Sequence, residues 1–281
     1  MMTCRDALRT ASGMLAKAGV PDPAVDAAFL LSHVTGVPHL MLRADGGREL
    51  TQGQTDAYRA LIDRRCSREP LQYILGTAQF MGITLRAEEG ALIPRNDTET
   101  LCEQAFARMK GNERVLDLCT GTGALAIAAA LRFPRAQVTA CDISPDALAV
   151  ARKNIAETGA AVRLLEGDLF APVAGERFDM ILSNPPYVTA QEMASLQPEV
   201  QREPALALYG GEDGLSFYRR IVREAPGHLQ PGGWLLLEIG THQAEAVTAL
   251  MQGDFEAPAV YPDMQGLPRA VVGRLIDRER L

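Results

Sequence analysis

Residues 115–123, Val115-Leu116-Asp117-Leu118-Cys119-Thr120-Gly121-Thr122-Gly123, decide how the larger part of this chain folds. Val115 to Leu118 predict a short buried strand, and the apolar residues after Gly123 predict a helix that extends to Phe133. A strand that passes through a glycine-rich turn into a helix is typical of an α/β unit. Glycines in that turn let the backbone approach a ligand closely, and the helix N-terminus offers free N–H groups.

Apolar strands and helices continue to alternate towards the end of the chain. Because these strands are apolar throughout, we expect a parallel sheet with helices on both faces. The pattern therefore predicts a doubly wound, mostly parallel α/β sheet. The predicted strands span residues 115–118, 137–141, 162–165, 178–183, 234–239 and 270–276, and the predicted helices span residues 123–133, 145–158, 215–229 and 243–251.

The residues before this sheet predict a small all-helical domain. N-cap and proline signals indicate helices that begin after Thr3, Asp22 and Thr51. Residues 78–85 then predict a β-hairpin that turns at Gly82. We expect three parts, which are a helical domain over residues 1–75, a β-hairpin linker over residues 76–95 and the α/β domain over residues 96–281.

Composition limits the function. The 281 residues carry a net charge of −7, yet the first 75 residues, with nine Lys or Arg and eight Asp or Glu, sit near +1. Nucleic-acid binding relies on Lys and Arg at phosphates, so this balance argues against a stable nucleic-acid complex.

No apolar run approaches the roughly 18 residues that span a membrane, and the charged N-terminus does not look like a secretory signal. Five cysteines without a C-x-x-C pair and only four histidines favour reduced thiols in the cytoplasm and no metal site.

Acidic residues follow the second and third predicted strands. Asp142 lies about 20 residues beyond the glycine turn, where a carboxylate can accept hydrogen bonds from both ribose hydroxyls. Asp168 is placed to meet the adenine end, although a solvated turn residue is an equally good interpretation of it. Together these residues predict a cofactor that contains adenosine. Gly121, Gly123 and Ala126 also satisfy the G-x-G-x-x-A pattern of dinucleotide-binding proteins, so NAD stays an alternative.

The run Asn184-Pro185-Pro186-Tyr187 follows the fourth predicted strand. Neither proline has an N–H group, and each restricts the residue before it to extended geometry, so the strand ends in a stiff turn. The side-chain oxygen of Asn184 and the carbonyl oxygen of Pro185 can then face outward as hydrogen-bond acceptors. Such a turn suits a planar NH2 group, although Asn-Pro-Pro is also an ordinary loop sequence.

All of these features follow strands whose carboxyl ends meet at one edge of a parallel sheet. The set resembles the class I S-adenosylmethionine-dependent methyltransferases that carry an N/D-P-P-Y/F turn and methylate planar nitrogens. With residues 92–99, Leu-Ile-Pro-Arg-Asn-Asp-Thr-Glu, and residues 203–208, Glu-Pro-Ala-Leu-Ala-Leu, the whole chain resembles the HemK/PrmC family of peptide chain release factor glutamine N5-methyltransferases. Cys119 stands where many members have a glycine, and Asn96 stands where many have a proline.

The resemblance implies a seven-stranded Rossmann-like methyltransferase sheet, S-adenosyl-L-methionine as cofactor, and a release factor's Gly-Gly-Gln glutamine as substrate. The helical domain and residues 80–95 would recognise the protein substrate, and the enzyme would be a monomer. Arg95 would be a surface contact or would form a salt bridge with Asp97 or Glu99. The resemblance assigns cofactor binding to Cys119, Thr120, Gly121, Thr122, Gly123, Asp142, Asp168, Leu169 and Asn184, catalysis to Asn184, Pro185 and Tyr187, and contact with the glutamine to Asn184, Pro185, Pro186 and Tyr187.

Other functions fit parts of the pattern. An adenine or guanine amino-methyltransferase acting on RNA or DNA would use the same turn on an exocyclic NH2 group, but the chain lacks the basic excess that such enzymes need. An NAD-dependent oxidoreductase would use the glycine turn and leave Asn184 to Tyr187 unexplained, and a non-catalytic binding module is a third alternative. The role of Tyr187 stays open among packing on the amide plane, an attraction to the sulfonium of about 0.5–2 kcal/mol, and filling of the pocket.

Overall fold

The computed structural model describes residues 2–42 and 46–278; residues 1, 43–45 and 279–281 lie outside this description. Within the described part, none of the helices has both the length and the apolar character that a membrane span requires. The chain divides into two compact units. One comprises residues 1–76 and 197–202, and the other comprises residues 77–196 and 203–281.

The first unit is helical, and its helices begin where the N-cap signals predict. The Thr3 side chain accepts a hydrogen bond from the Asp6 N–H. Thr51 and Gln54 form a reciprocal capping box, which satisfies N–H groups that a helix start leaves unpaired. Apolar side chains that include Leu15, Leu30 and Leu31 form its core. The helices are α1 (Cys4–Lys17), α2 (Pro23–Thr35), α3 (Gln52–Cys66) and the short α4 (Leu71–Leu75).

Residues 197–202 belong to this helical unit, which the sequence did not indicate. Glu199 accepts hydrogen bonds from Arg65 Nη2 at 2.7 Å and from Arg68 Nε at 2.7 Å. The Arg65 side chain is only 5% exposed, and its Nε donates to Asp26 Oδ2 at 2.7 Å. Burial of charges is costly unless each is paired, and here one guanidinium serves two carboxylates.

The second unit begins with the predicted hairpin, which consists of β1 (Thr77–Phe80) and β2 (Ile83–Arg86) in antiparallel pairing. A 3₁₀ turn over Asn96–Thr98 then leads into α5 (Glu99–Phe106).

The remaining strands of the described chain form one seven-stranded sheet, in the order β5-β4-β3-β6-β7-β9-β8. Pairing is parallel from β5 through β7, and β9 is antiparallel to both of its neighbours. The predicted doubly wound, mostly parallel α/β sheet is therefore confirmed. The strands are β3 (Arg114–Leu118), β4 (Gln137–Asp142), β5 (Val162–Glu166), β6 (Phe178–Ser183), β7 (Leu229–Glu238), β8 (Phe255–Pro262) and β9 (Pro268–Leu275).

Helices cover both faces of this sheet. Val115 and Leu116 are adjacent on β3 and belong to different apolar clusters, because successive side chains of a strand point to opposite faces. The first cluster includes residues of α5 and α6, and the second includes residues of α9 and α10. The helices that follow α5 are α6 (Ala124–Arg132), α7 (Pro145–Thr158), α8 (Ala190–Met193), α9 (Ser216–His228) and α10 (Ala244–Met251).

One strand of the sheet was not among those predicted from the sequence. Strand β8 contains Pro258 and Pro262, and most of its side chains are exposed or half-buried. It lies at the edge of the sheet, where proline is tolerated because one row of N–H groups needs no partner. The sequence therefore shows no apolar run there.

The Glu199 ion pairs give the helical unit a pH dependence. Burial alone would raise the pKa of Glu199, but hydrogen bonds from Arg68 and Arg65 outweigh it and lower this pKa to about 2 from 4.5. A carboxyl whose pKa is lower in the folded state contributes stability above its unfolded pKa, and this contribution disappears as the pH falls through the folded value. We therefore expect Glu199→Gln to unfold at a lower urea concentration than the wild type at neutral pH, with the gap narrowing as the pH falls from 4.5 towards 2.

The exposed Asp63 on α3 provides the matched control, since no ion pair of its side chain occurs among the described residues. Asp63→Asn should leave the unfolding midpoint nearly unchanged at every pH. A gap for Glu199→Gln that stays constant or widens on acidification would contradict the assignment.

Candidate functional site

A pocket opens at the carboxyl edge of the parallel strands. Its walls come from the segments that follow β3, β4, β5 and β6, together with residues 90–95 and 204–207. This is the edge at which open α/β sheets bind ligands. The pocket lies entirely within the second unit.

The glycine turn forms one wall of the pocket. Cys119, Gly121 and Gly123 all have left-handed backbones, with φ of 58°, 56° and 83°. Gly123 is the N-cap of α6. Asp117 holds the turn in place. Its Oδ2 accepts hydrogen bonds from the Thr120 hydroxyl at 2.5 Å and from the Ala126 N–H of α6 at 3.2 Å. Asp117 is fully buried, and this burial raises its pKa to about 7.

Cys119 carries a backbone conformation that suits glycine. Its φ of 58° lies in the left-handed region, which favours the glycine that many family members have at this position. A side chain with a Cβ pays roughly 1–2 kcal/mol in the left-handed region. Leu169, which also lines the pocket, has a φ of 50° and carries the same kind of strain. Strain of this kind concentrates at ligand sites.

Asp142 is the last residue of β4, and hydrogen bonds hold both of its carboxylate oxygens in place. Oδ2 accepts a hydrogen bond from the Gly121 N–H at 2.8 Å, and Oδ1 accepts one from the Ser144 N–H at 2.9 Å. Burial raises the pKa of Asp142, and these backbone hydrogen bonds oppose the rise. Each oxygen keeps further lone pairs for hydrogen bonds from a ligand.

Asp168 and Leu169 lie on the wall that follows β5. The Asp168 carboxylate is partly exposed and pairs with Arg220 of α9 at 2.7 Å. The Leu169 side chain is buried, and its carbonyl oxygen accepts a hydrogen bond from the Cys141 thiol at 3.2 Å. The backbone around Leu169 is therefore fixed at the pocket.

The Asn-Pro-Pro-Tyr turn, residues 184–187, directly follows β6. Asn184 and Pro186 line the pocket, and Asn184 Nδ2 donates to the Thr98 hydroxyl at 3.3 Å. Among the described residues, no group donates a hydrogen bond to Asn184 Oδ1 or to the Pro185 carbonyl oxygen. Neither acceptor therefore has a hydrogen-bond donor from the described part of the chain, and of these two residues Asn184 lines the pocket.

Tyr187 anchors the turn on its other side. Its ring packs against the apolar cluster beneath α9 and α10, and burial raises the pKa of its hydroxyl. Its carbonyl oxygen accepts a hydrogen bond from Gln243 Nε2 at 3.0 Å. Gly210 and Gly214 lie directly against it, since a Cβ on Gly210 would stand 2.6 Å from Tyr187 Cα and one on Gly214 would stand 2.4 Å from the Tyr187 carbonyl oxygen. The turn is therefore held by backbone packing.

Glu203 holds the segment at residues 91–95 in place. Its side chain is buried and accepts a hydrogen bond from the Ile93 N–H at 2.9 Å. Its other oxygen pairs with Arg95, so of the two alternatives for Arg95 the salt bridge with Asp97 or Glu99 is wrong. Asp97 pairs instead with Arg269. The expectation failed because it considered only neighbours in sequence, whereas Glu203 is brought close by the fold.

Glu238, at the end of β7, is a further acidic residue near the turn that sequence reasoning missed. Its side chain is 1% exposed, and its Oε2 has no hydrogen-bond partner among the described residues. Burial raises the pKa of Glu238 to about 7. A carboxyl group at the end of an otherwise apolar strand was the available sequence signal.

The pocket brings most of the predicted site residues together, and three of them lie outside its lining. Gly123, Pro185 and Tyr187 stand behind it, as a helix cap, as a buried part of the turn and as an anchor in the core. The predicted residues that line the pocket are Cys119, Thr120, Gly121, Thr122, Asp142, Asp168, Leu169, Asn184 and Pro186.

Two family models match this chain. Residues 6–76 match the PrmC N-terminal domain, and residues 97–202 match the methyltransferase small domain. The first match lies in the helical unit. The second match includes the glycine turn, Asp142, Asp168 and the Asn-Pro-Pro-Tyr turn.

Curated relatives match over nearly the whole length. The release factor glutamine methyltransferase of Geobacter sulfurreducens is 42% identical over 275 residues, which cover 97% of either chain. The protein of the same name from Cereibacter sphaeroides is 44% identical over 278 residues, which cover 98% of this chain and 99% of that one. Among solved structures, a methyltransferase from Pyrococcus furiosus has a TM-score of 0.54 at 21% identity, covers 69% of this chain and 89% of its own, and supports the fold.

The strain at Cys119 can be measured with two substitutions. Cys119→Gly and Cys119→Ala both remove the thiol, but only glycine removes the Cβ penalty of about 1–2 kcal/mol in the left-handed region. We expect Cys119→Gly to be the more stable of the two by about 1 kcal/mol in urea unfolding, since the entropy of glycine in the unfolded chain offsets part of the gain. Equal stabilities, or a more stable alanine variant, would show that this backbone is not strained.

The packing of Gly210 against the turn predicts a loss of activity without a loss of the fold. Gly210→Ala would place a methyl group against the Tyr187 backbone and force Asn184 to Tyr187 to shift. A shift of about 1 Å at a positioning group costs roughly a hundredfold in rate. We expect methyl transfer to fall to that extent while the far-ultraviolet circular dichroism stays unchanged. Gly227→Ala on α9 is the matched control, because its Cβ would meet no atom within 4 Å; equal activity of the two variants would contradict the prediction.

Proposed function

Because the chain belongs to the family of release factor glutamine methyltransferases, we propose that it transfers the methyl group of S-adenosyl-L-methionine to a side-chain amide nitrogen in peptide chain release factors. The acceptor is N5 of the glutamine in their Gly-Gly-Gln motif. The observation that carries this proposal is the rigid turn at Asn184, which lines a pocket suited to an adenosine-containing cofactor. The family membership selects glutamine among the planar NH2 groups that the turn could hold.

The residues present fit S-adenosyl-L-methionine. Asp142 offers a fixed carboxylate with free lone pairs for the two ribose hydroxyls. Gly121 leaves open space where a Cβ would stand, so its backbone can be approached closely. Asp168 and the backbone of Leu169 border the same pocket and are assigned to the adenine end. Cys119 to Gly123 are assigned to the amino acid part.

The cofactor, when bound, supplies an electrophilic methyl group on a sulfonium. The difficulty lies with the acceptor, because the lone pair of an amide nitrogen is delocalised into its carbonyl group. Asn184 Oδ1 and the Pro185 carbonyl oxygen each accept one N–H of the glutamine, which fixes the direction of its nitrogen. They also stabilise the positive charge that develops there. Positioning of this kind contributes up to about 7–11 kcal/mol to lowering a barrier.

Tyr187 contributes to the same geometry. The ring of Tyr187 packs in the apolar core, and its carbonyl oxygen accepts a hydrogen bond from Gln243. Tyr187 therefore fixes the end of the turn. Since Tyr187 lies outside the pocket lining, we assign to it the support of the turn that would hold the glutamine amide. Pro186 lines the pocket beside Asn184 and limits the space for the acceptor group.

The helical unit and residues 80–95 are assigned to recognition of the release factor, in the cytoplasm and by a monomeric enzyme. The balance of charge supports a protein substrate over a nucleic acid, since the chain carries a net charge of −7. The alternative of an adenine or guanine amino-methyltransferase would require contacts to phosphates that this composition does not favour.

Asn184→Ala tests the chemistry. We expect turnover to fall about a hundredfold, as when a single transition-state hydrogen bond is removed, while cofactor affinity measured by calorimetry stays within a few-fold. The exposed Asn112 allows the same substitution away from the pocket, and Asn112→Ala should behave as the wild type. Near wild-type turnover in Asn184→Ala would refute the assignment.

Substrate identity is tested by transfer of radiolabelled methyl groups to three acceptors. Label should enter a purified release factor, and it should enter neither the factor with Gln→Ala in its Gly-Gly-Gln motif nor bulk RNA and DNA. Label in nucleic acid but not in the factor would instead support the amino-methyltransferase alternative.

A further inference from the structure

We propose that Glu203 is a positioning residue for methyl transfer, because it closes a ring of hydrogen bonds that holds the Asn184 side chain and residues 92–95 in one fixed arrangement. This inference rests on the proposed function, in which Asn184 orients the glutamine. Glu203 lies outside the pocket lining and acts through the residues that it binds.

The ring begins at the Asn-Pro-Pro-Tyr turn. Directly after this turn, the Val188 N–H donates to the Leu208 carbonyl oxygen at 2.8 Å, and the Val188 carbonyl oxygen accepts from the Gly210 N–H at 2.9 Å. Two backbone hydrogen bonds therefore join the turn to the segment over residues 203–208. A 3₁₀ helix over Ala205–Ala207 gives this segment a regular backbone.

Glu203 connects this segment to residues 92–95. Its side chain is 1% exposed, its Oε2 accepts from the Ile93 N–H at 2.9 Å, and its Oε1 pairs with Arg95 Nη2. One buried carboxylate thus binds both the backbone and a side chain of residues 92–95. Because Ile93, Arg95 and Pro204 all line the pocket, Glu203 joins two of its walls.

The ring closes at Thr98, which is 5% exposed and lines the pocket. Its N–H donates to the Arg95 carbonyl oxygen at 3.1 Å, and its hydroxyl accepts from Asn184 Nδ2 at 3.3 Å. A continuous path therefore leads from Asn184 through the segment at residues 203–208 and back to Asn184. Glu203 is the link between the two halves of this path.

Glu203 can serve both partners because it is a carboxylate. Each of its two oxygens accepts one bond, from Ile93 and from Arg95. A glutamine side chain has one oxygen and one NH2 group, so the partner that met the NH2 group would face a second donor. Burial of a carboxylate is costly unless its oxygens are paired. Closure of the ring therefore depends on the acid at this position.

The segments assigned to the cofactor are held by other hydrogen bonds. The Gly121 N–H donates to Asp142 at 2.8 Å. The Leu169 carbonyl oxygen accepts from the Cys141 thiol at 3.2 Å. Among the described residues, no hydrogen bond joins these segments to a residue of the ring. Opening of the ring should therefore displace Asn184 and leave the cofactor segments in place.

Turnover compared with cofactor affinity provides the first test. Glu203→Gln keeps the size of the side chain and breaks one of its two bonds. We expect kcat for the release factor to fall roughly tenfold to a hundredfold, since a shift of about 1 Å at a positioning group costs about the larger factor. Cofactor affinity measured by calorimetry should stay within a few-fold. The exposed Glu103 on α5 is the matched control, and Glu103→Gln should keep the wild-type kcat. Wild-type kcat in Glu203→Gln, or an equal loss of cofactor affinity, would overturn the proposal.

A double-mutant cycle provides the second test, because residues in contact have effects that are not additive. Arg95→Met removes the guanidinium, so that in this background the oxygen introduced by Glu203→Gln can serve Ile93 alone. We expect Glu203→Gln to lower kcat by no more than about threefold in the Arg95→Met background, against the full loss in the wild type. Equal losses in the two backgrounds would show that Glu203 and Arg95 act independently, and the ring would be refuted.

Amide hydrogen exchange provides a third test that needs neither substrate nor cofactor. In Glu203→Ala the ring is open, and we expect the N–H groups of Ile93 and Val188 to exchange at least about tenfold faster than in the wild type. The Gly121 N–H, which Asp142 binds, should exchange at the wild-type rate. Unchanged exchange at Ile93 and Val188, or faster exchange at Gly121 as well, would refute the ring. Wild-type protein that fails to methylate release factors, together with the expected exchange, would refute the proposed function and leave the ring standing.

Discussion

Parallel pairing at the centre of the sheet is the constraint on which the site depends. Strand β3 pairs in parallel with β4 on one side and β6 on the other, so that Leu118 is level with both Cys141 and Ser183. The residues that follow these partners must then emerge at the same edge. The glycine turn, Asp142 and Asn184 are separated by more than sixty positions in the sequence at their extremes, yet the register alone places them around one pocket. Because both faces of the sheet are buried, a slip of this register would exchange the two apolar clusters.

Rigidity at this edge comes from backbone geometry more than from side chains. Two prolines stiffen the turn after β6, and Gly210 and Gly214 allow a second chain segment to lie against Tyr187 without any intervening side chain. Gln243 completes the arrangement, with its Nε2 bound to the Tyr187 carbonyl and its Oε1 accepting from the Gly240 N–H. The acceptors of the turn are consequently held in place before any ligand binds. A site built this way loses little freedom on binding, which is the physical meaning of preorganisation.

The features that sequence predicts well are those that local rules determine. N-caps at Thr3 and Thr51, the apolar strands and the glycine turn each follow from neighbours within a few positions, and the structure has them where expected. Pairings across long distances in sequence were not accessible. Glu203 holds Ile93 and Arg95 from 110 and 108 positions away, and Glu199 joins the helical unit through Arg65. Strand β8 was missed because an exposed edge strand with two prolines carries neither an apolar run nor strict alternation.

Several features of residues around the pocket lower the stability of the folded state. Cys119 and Leu169 have left-handed backbones that favour glycine, and Asp117 and Glu238 are buried carboxyls that each keep one oxygen without a partner. Every one of these features would be removed by a simple substitution if stability were the only requirement. The Asp117 carboxylate binds the Thr120 hydroxyl and so holds the glycine turn. The backbone of Leu169 forms part of the pocket wall that follows β5. Asp117 and Leu169 therefore show how a local cost in stability can accompany a fixed wall of the pocket.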